Sequence, residues 1–251
     1  MTSEEQSAAK KGILAPFREL QISLLQKALA NWPRRGTPLL EVNCGKGDFL
    51  PLFWRSGFEI IATEKDQCLR KIAASKPVPG LEIYAASDDY LPFDNDYFDW
   101  VVVHLFKTTP DQEKITIAES LRVARRGIMV SFWNTSSLAA KFGLFAQKEP
   151  FKDGFSWLHI WRVLYSLKAG PLSSFSSGFA PQTFWHNKKI LAMFEHCAFF
   201  KFLGAWCLMR VDIASRDLST PLPLKLKREM TPQSPVFEYS HKIIKKVRKG
   251  L

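Results

Sequence analysis

The chain lacks any stretch of about 18 apolar residues free of charge, so no transmembrane helix is expected. Residues 1–11 are polar, carry Glu4 and Glu5, and lack the basic and apolar regions of a signal peptide. Cysteine is scarce: Cys44, Cys68, Cys197 and Cys207 show no paired spacing. They read as free thiols in a reducing, cytoplasmic setting. The five histidines form no HxxxH or comparable pair, so no metal is expected. The chain also lacks a strong positive charge over its body. Net charge is +11, but residues 214–251 hold nine Lys/Arg against three Asp/Glu, a surplus of six. The remainder is only mildly basic, and no nucleic-acid partner is compelled.

What is present is enough apolar material for one large core: 251 residues, 46% of them hydrophobic. The organisation expected is a disordered leader (1–12), one domain (13–215) and a basic tail (216–251) with four prolines. Phe17, Leu20, Leu24, Leu25 and Leu29 recur at helical spacing, and Pro33 ends that run. Strands are expected at 39–42, 58–63, 81–85, 100–105 and 127–133, with helices at 49–56, 65–75 and 112–124 between them. Alternation of this kind implies βαβ units and a parallel sheet with helices on both faces. After Asn134 the rhythm breaks. Residues 135–186 are rich in aromatics and include the Gly170-Pro171-Leu172-Ser173-Ser174 loop, which reads as a lid or cap insertion. A helix at 188–196 and an antiparallel pair, 199–203 with 206–213, are expected to close the sheet at seven strands.

The most informative segment is Leu39-Leu40-Glu41-Val42-Asn43-Cys44-Gly45-Lys46-Gly47-Asp48. It places an acid at a strand end and glycines at the strand-to-helix turn. Glycine permits positive φ and a close approach of backbone to ligand, and a helix N-terminus offers N–H groups to an anion. Glu64 follows 23 residues after Glu41, where α/β nucleotide-binding folds carry an acid for ribose hydroxyls. A third element, Ser87-Asp88-Asp89-Tyr90-Leu91-Pro92-Phe93-Asp94-Asn95-Asp96-Tyr97-Phe98-Asp99, leads into the fourth strand.

The order E-V-x-C-G-x-G, an acid after the second strand, then L-P-F-x-x-x-x-F-D resembles class I S-adenosylmethionine-dependent methyltransferases. Within them it is most similar to the small-molecule and quinone-biosynthesis C-methyltransferase type. The resemblance covers residues 36–134, and more loosely 181–213. It implies an α/β, Rossmann-like fold with a mostly parallel seven-stranded sheet. It also implies S-adenosylmethionine as cofactor, bound among Glu41, Asn43, Cys44, Gly45, Gly47, Glu64, Lys65, Ser87 and Asp88. Glu41 would hold the loop and contact the methionyl amino group through neighbouring atoms or water, Gly45 and Gly47 would line the methionine, and Glu64 would bind both ribose hydroxyls. Ser87 or Asp88 would address the adenine amino group. Two positions depart from the family pattern: Asn43 stands where a glycine is usual, and the Gly-Asp step is replaced by Ala86-Ser87, with the acid one place later.

His104, at the carboxyl end of the fourth strand, is a candidate general base. The aromatics of 151–185 suit a pocket for a flat or apolar small-molecule acceptor, or ordinary packing of a cap. Residues 155–167 are a candidate for peripheral membrane contact at a bilayer surface, and the Lys242–Lys249 patch for contact with anionic lipid or RNA. Three functions compete. One is methyl transfer to a small, partly apolar acceptor; another is an inactive methyltransferase fold kept as a binding or scaffold module. The third is an RNA or protein methyltransferase. Val103-His104-Leu105-Phe106 replaces the N-P-P-Y tetrapeptide of enzymes that methylate amino groups of nucleic-acid bases.

Overall fold

The computed structural model describes residues 17–106, 108–141, 149–179 and 202–213. The expected leader, the 188–196 helix and the basic tail lie outside them. Helix α1 (residues 17–29) is followed by β1 (Thr37–Val42), α2 (Leu50–Arg55), β2 (Phe58–Thr63), α3 (Gln67–Ala74), β3 (Glu82–Tyr84) and β4 (Phe98–His104). Then come α4 (Glu113–Val123), β5 (Ala124–Trp133), α5 (Leu138–Lys141), α6 (Glu149–Lys152), α7 (Trp157–Ser166), β6 (Leu172–Ser177) and β7 (Trp206–Asp212). The strands form one seven-stranded sheet in the order β3-β2-β1-β4-β5-β7-β6. All neighbours are parallel except β7, which runs antiparallel to both β5 and β6.

Burial on both faces explains the near-continuous apolar strands: β4 is buried at all seven positions. Alternate side chains divide between two cores. Leu39, Trp100, Val102 and Met129 join α1, α2 and Ala73 of α3 on one face. Leu40, Val101, Val103 and Val130 join Ile117 of α4 and Ile160 and Leu164 of α7 on the other. The predicted stripe of α1 is the one buried: Phe17, Leu20, Leu24, Leu25 and Leu29 are at most 7% exposed. Each such side chain stabilises the fold by about 1.5–3 kcal/mol. Past its end, Trp32 stacks on Trp100 at 4.1 Å and donates from Nε1 to Asp212. Arg210 donates to the Ala28 carbonyl at 2.7 Å.

The L-P-F-x-x-x-x-F-D segment owes its shape to two arginine clusters. Arg122 donates to the carbonyls of Leu91 and Phe93, to Asn95 and to Glu119. Asp99, buried at the start of β4, receives Arg125 and Arg126 of β5. The pairing with Arg122 holds the Glu119 carboxyl below its usual range.

Residues 199–201 of the strand expected at 199–203 lie outside the described residues, and a different segment pairs with β7. The partner of β7 is Leu172–Ser177, inside the stretch read as an insertion, with Leu172 beside Val211 and Ser177 beside Trp206. Phe202 and Leu203 lie in a turn. The Leu-Ser-Ser-Phe-Ser-Ser strand carries too little apolar alternation to be recognised locally. It forms because an edge strand needs only a partner's backbone groups. Helix α7, from the same stretch, buries Ile160, Val163 and Leu164 against the sheet and leaves Arg162 and Tyr165 exposed. No helix among the described residues is long and apolar enough to cross a membrane.

Candidate active site

The carboxyl ends of β1, β2, β4 and β5 form one edge, and the loops leaving them carry the predicted site residues. After β1 the chain turns through three left-handed positions, Asn43 (φ 57°), Gly45 (φ 58°) and Gly47 (φ 68°). Asparagine is among the non-glycine residues that best tolerate this region, so the turn survives at position 43. The Cys44 N–H donates to Thr63 at the end of β2, and the Gly47 N–H closes back on Cys44. The two glycines serve different ends. A Cβ at Gly45 would meet nothing within 4 Å, so the space beside it is open to a ligand. A Cβ at Gly47 would fall 2.6 Å from Leu50 Cδ1 and 2.9 Å from Ala73 Cβ, so Gly47 is required by packing.

Glu64 is buried just past β2. Its Oε2 accepts from the Gly45 N–H at 2.8 Å and its Oε1 from the Asp66 N–H at 3.0 Å. Each oxygen keeps a second lone pair. Lys65 is exposed, with its ammonium 3.8 Å from buried Asp88. Ser87 is exposed in a bridge with Tyr90, whereas Asp88 turns inward. Thus Glu41, Asn43, Gly45, Glu64 and Asp88 converge, and Ser87 stands apart. Cys44 is buried beside Gly45, and burial pushes its thiol up. The expected helix N-terminus contributes little: α2 has six residues, no side-chain cap, and a proline in its first turn.

The fit to an adenosine-bearing sulfonium rests on three features. They are the open space at Gly45, the Glu64 carboxylate against the loop, and Glu41 Oε2, which is buried with no partner among the described residues. Asn43 is the departure. Its amide donates to Asp88 Oδ2 at 3.2 Å and to the His104 carbonyl at 3.3 Å, joining the loop after β3 to the end of β4. It thereby already supplies the donor that an adenine amino group would offer Asp88.

His104 is not placed as an open base. It is 1% exposed, its Nε2 lies 2.9 Å from Glu41 Oε1, and its Nδ1 lies 2.5 Å from Ser131 Oγ. The register explains the row: His104 sits beside Ser131, and Glu41 is the diagonal neighbour across β1–β4. Phe49 and Phe106 pack near its ring at 5.3 and 5.4 Å. Burial pushes the Glu41 carboxyl above its usual range, while the bond to His104 opposes that shift.

Asn134 organises the end of β5. Its amide donates to the carbonyls of Phe202 and Gly204, and its oxygen accepts from Ser136 and Trp157. Trp157 and Phe202 meet edge to face at this end. Trp161 and Tyr165, counted among the acceptor-pocket aromatics, instead line a cavity of about 520 Å³ with Leu164, Lys168 and Leu172. That cavity lies toward the opposite end of the sheet, since Leu172 pairs with Val211 and Val211 with Ile128 near the start of β5. Sequence reading missed Glu113 and His159, joined at 2.8 Å between α4 and α7. No local motif marks two residues 46 positions apart.

A family model described as a methyltransferase domain matches residues 40–132. None of the curated proteins matches the sequence. Among solved structures, the chain is similar to a SAM-dependent methyltransferase from Thermotoga maritima, described as a possible histamine N-methyltransferase. That likeness has 14% identity, 83% of this chain and 96% of that one covered, and a TM-score of 0.57. A SAM-dependent methyltransferase from Archaeoglobus fulgidus shares 14% identity over 78% and 94% of the two chains, with a TM-score of 0.56. Magnesium protoporphyrin IX methyltransferase from Synechocystis, solved with bound SAH, shares 12% over 81% and 86%, at 0.54. At these identities the likeness is one of fold.

Proposed function

We propose that the chain, of which residues 40–132 match a methyltransferase domain, is a class I, S-adenosylmethionine-dependent methyltransferase that transfers a methyl group to a small, partly apolar acceptor in the cytoplasm. The carrying observation is the loop after β1, where open space at Gly45 adjoins the Glu64 carboxylate. Bound S-adenosylmethionine supplies an already activated methyl group. The protein's own residues therefore bind, align and exclude water, and alignment alone supplies roughly 7–11 kcal/mol.

In this reading Gly45 admits the nucleoside close to backbone, and Glu64 takes the ribose hydroxyls with its remaining lone pairs. The unpartnered Glu41 oxygen receives the amino group of the methionine, and Asp88, released by Asn43, receives the adenine amino group. Lys65, Cys44 and Gly47 shape the rim, and Ser87 lies outside it. Phe106, Trp157 and Phe202 line the acceptor side at the carboxyl ends of β4 and β5, which suits a planar or apolar molecule.

Calorimetry with S-adenosylmethionine and S-adenosylhomocysteine tests the reading. Glu64→Ala is expected to weaken binding at least about tenfold, because charge-assisted hydrogen bonds worth roughly 1.5–3 kcal/mol are lost. Asn43→Gly is expected to tighten it about two- to tenfold by removing the competing donor on Asp88. A second reading, the fold kept as a binding module, is favoured by that same Asn43 bridge. It prevails if neither the wild type nor Asn43→Gly binds either nucleoside at millimolar concentration.

A further inference from the structure

We propose that Glu113 and His159 form the general-base dyad for the acceptor, and that the acceptor carries a weakly acidic hydroxyl of the phenol or enol type. The inference rests on the methyltransferase reading above and adds to it the group that takes the acceptor's proton.

Both residues belong to helices that begin at the carboxyl edge of the sheet. Helix α4 follows the loop leaving β4, and Glu113 is its first residue. Helix α7 begins where β5 ends: Phe155 and Trp133 are hydrogen-bonded, Thr135 returns a bond to Phe155, and Asn134 Oδ1 accepts from the Trp157 N–H. The Ser156 cap accepts from the His159 N–H at 3.1 Å and fixes the first turn of α7. His159 is thereby placed above β5, on the face that α4 shares.

The chemistry of the pair is asymmetric. Glu113 is buried, with 4% of its side chain exposed, and its Oε1 lies 2.8 Å from His159 Nε2. An ionised carboxylate only accepts, so Nε2 carries the proton and Nδ1 is the bare, basic nitrogen. The His159 side chain is 45% exposed, and no side chain among the described residues bonds Nδ1. Phe155 stacks against the ring at 6.0 Å and 13° and steadies its plane.

Two unsatisfied polar atoms lie beside this pair in sequence and burial. Glu113 Oε2 and Thr108 Oγ1, the latter on the loop from β4 to α4, are buried and have no partner among the described residues. The buried face of α4 continues with Thr116 and Ser120 beside Ile117 and Val123, and the two hydroxyls donate to the carbonyls of Gln112 and Thr116. A helix that only closed a core would not leave a carboxylate oxygen and a threonine hydroxyl buried and unpaired at its start, because each unpaired buried group opposes folding.

The dyad acts on a proton that imidazole can take. An aliphatic hydroxyl is too weak an acid, and a neutral amine or a thiolate attacks without a base. A phenol, near the ordinary tyrosine range of about 10, is matched. The O–H bond breaks, its electron pair stays on oxygen and the proton passes to Nδ1. The resulting imidazolium pairs with Glu113. The oxygen bonds to the methyl carbon of the sulfonium donor as the carbon–sulfur pair returns to sulfur. Exposed His159 then gives the proton to water.

The experiment uses the full chain with S-adenosylmethionine and two probes, catechol and 1-naphthol, after calorimetry with S-adenosylhomocysteine. The wild type is expected to methylate at least one phenol. His159→Ala is expected to lower kcat at least about 100-fold, with KM within about threefold and turnover restored by added imidazole. Glu113→Gln is expected to lower kcat about tenfold with KM unmoved. In nitrogen-15 spectra, His159 should show a protonated Nε2 and a bare Nδ1 whose signal moves when 1-naphthol joins the S-adenosylhomocysteine complex. Unchanged kcat in His159→Ala, an unmoved Nδ1 signal, or S-adenosylhomocysteine binding without methylation of either phenol overturns the dyad. Absence of S-adenosylhomocysteine binding overturns the reading beneath it.

Discussion

Two glutamate–histidine pairs flank the carboxyl edge of the sheet, one beneath the loop after β1 and one between the two helices of the opposite face. His104 and Glu41 are 1% and 0% exposed, and both imidazole nitrogens are occupied. His159 and Glu113 are 45% and 4% exposed, and one nitrogen has no side-chain partner among the described residues. Burial separates their tasks. Where both nitrogens are spent and water is excluded, the pair braces three strands and shapes the loop above it. Where one nitrogen is open beside a buried carboxylate, the same groups are poised to move a proton. A histidine at a strand end is therefore a weaker pointer to chemistry than the partners of its two nitrogens.

Substitutions at the two pairs should separate them most strongly in stability. Glu41→Ala leaves His104 buried without its partner and should cost about 3–5 kcal/mol in denaturant unfolding. His159→Ala, half exposed, should cost no more than about 1 kcal/mol. Equal costs would erase the distinction between brace and base.

The two glycines of the loop extend the comparison to backbone. Gly47→Ala forces a Cβ against Leu50 and Ala73 at positive φ and should cost about 2–4 kcal/mol. Gly45→Ala meets no atom and should cost about 1–2 kcal/mol from φ alone, yet remove nucleoside affinity in calorimetry. If Gly45→Ala binds as the wild type does, the open space at that residue is not the ligand's.

The smallest effect expected is on pH dependence. Burial raises the Glu41 carboxyl in the folded chain. The folded state thus holds a proton that the unfolded chain has released, and stability falls as pH rises from the ordinary glutamate range of about 4.3 through the raised value. Glu41→Gln should flatten that decline in unfolding measured across the window. A slope identical to the wild type's would show that Glu41 keeps its ordinary affinity for protons.

Local pattern determined a large part of this molecule. Period-3.6 spacing placed α1, apolar runs placed the parallel strands, and the Glu41–Asp48 turn with Glu64 marked the edge proposed to take the nucleoside, because each is written in residues close along the chain. Tertiary structure alone decided the rest. Leu172–Ser177 is a strand because β7 offers it backbone partners, although Ser173, Ser174 and Ser176 give it no apolar alternation. Asn43 reaches Asp88 across 45 residues, Glu41 reaches His104 across 63, and Glu113 reaches His159 across 46. Sheet register and helix placement set those meetings, and whether a nitrogen or a carboxylate oxygen is spent or free depends on them.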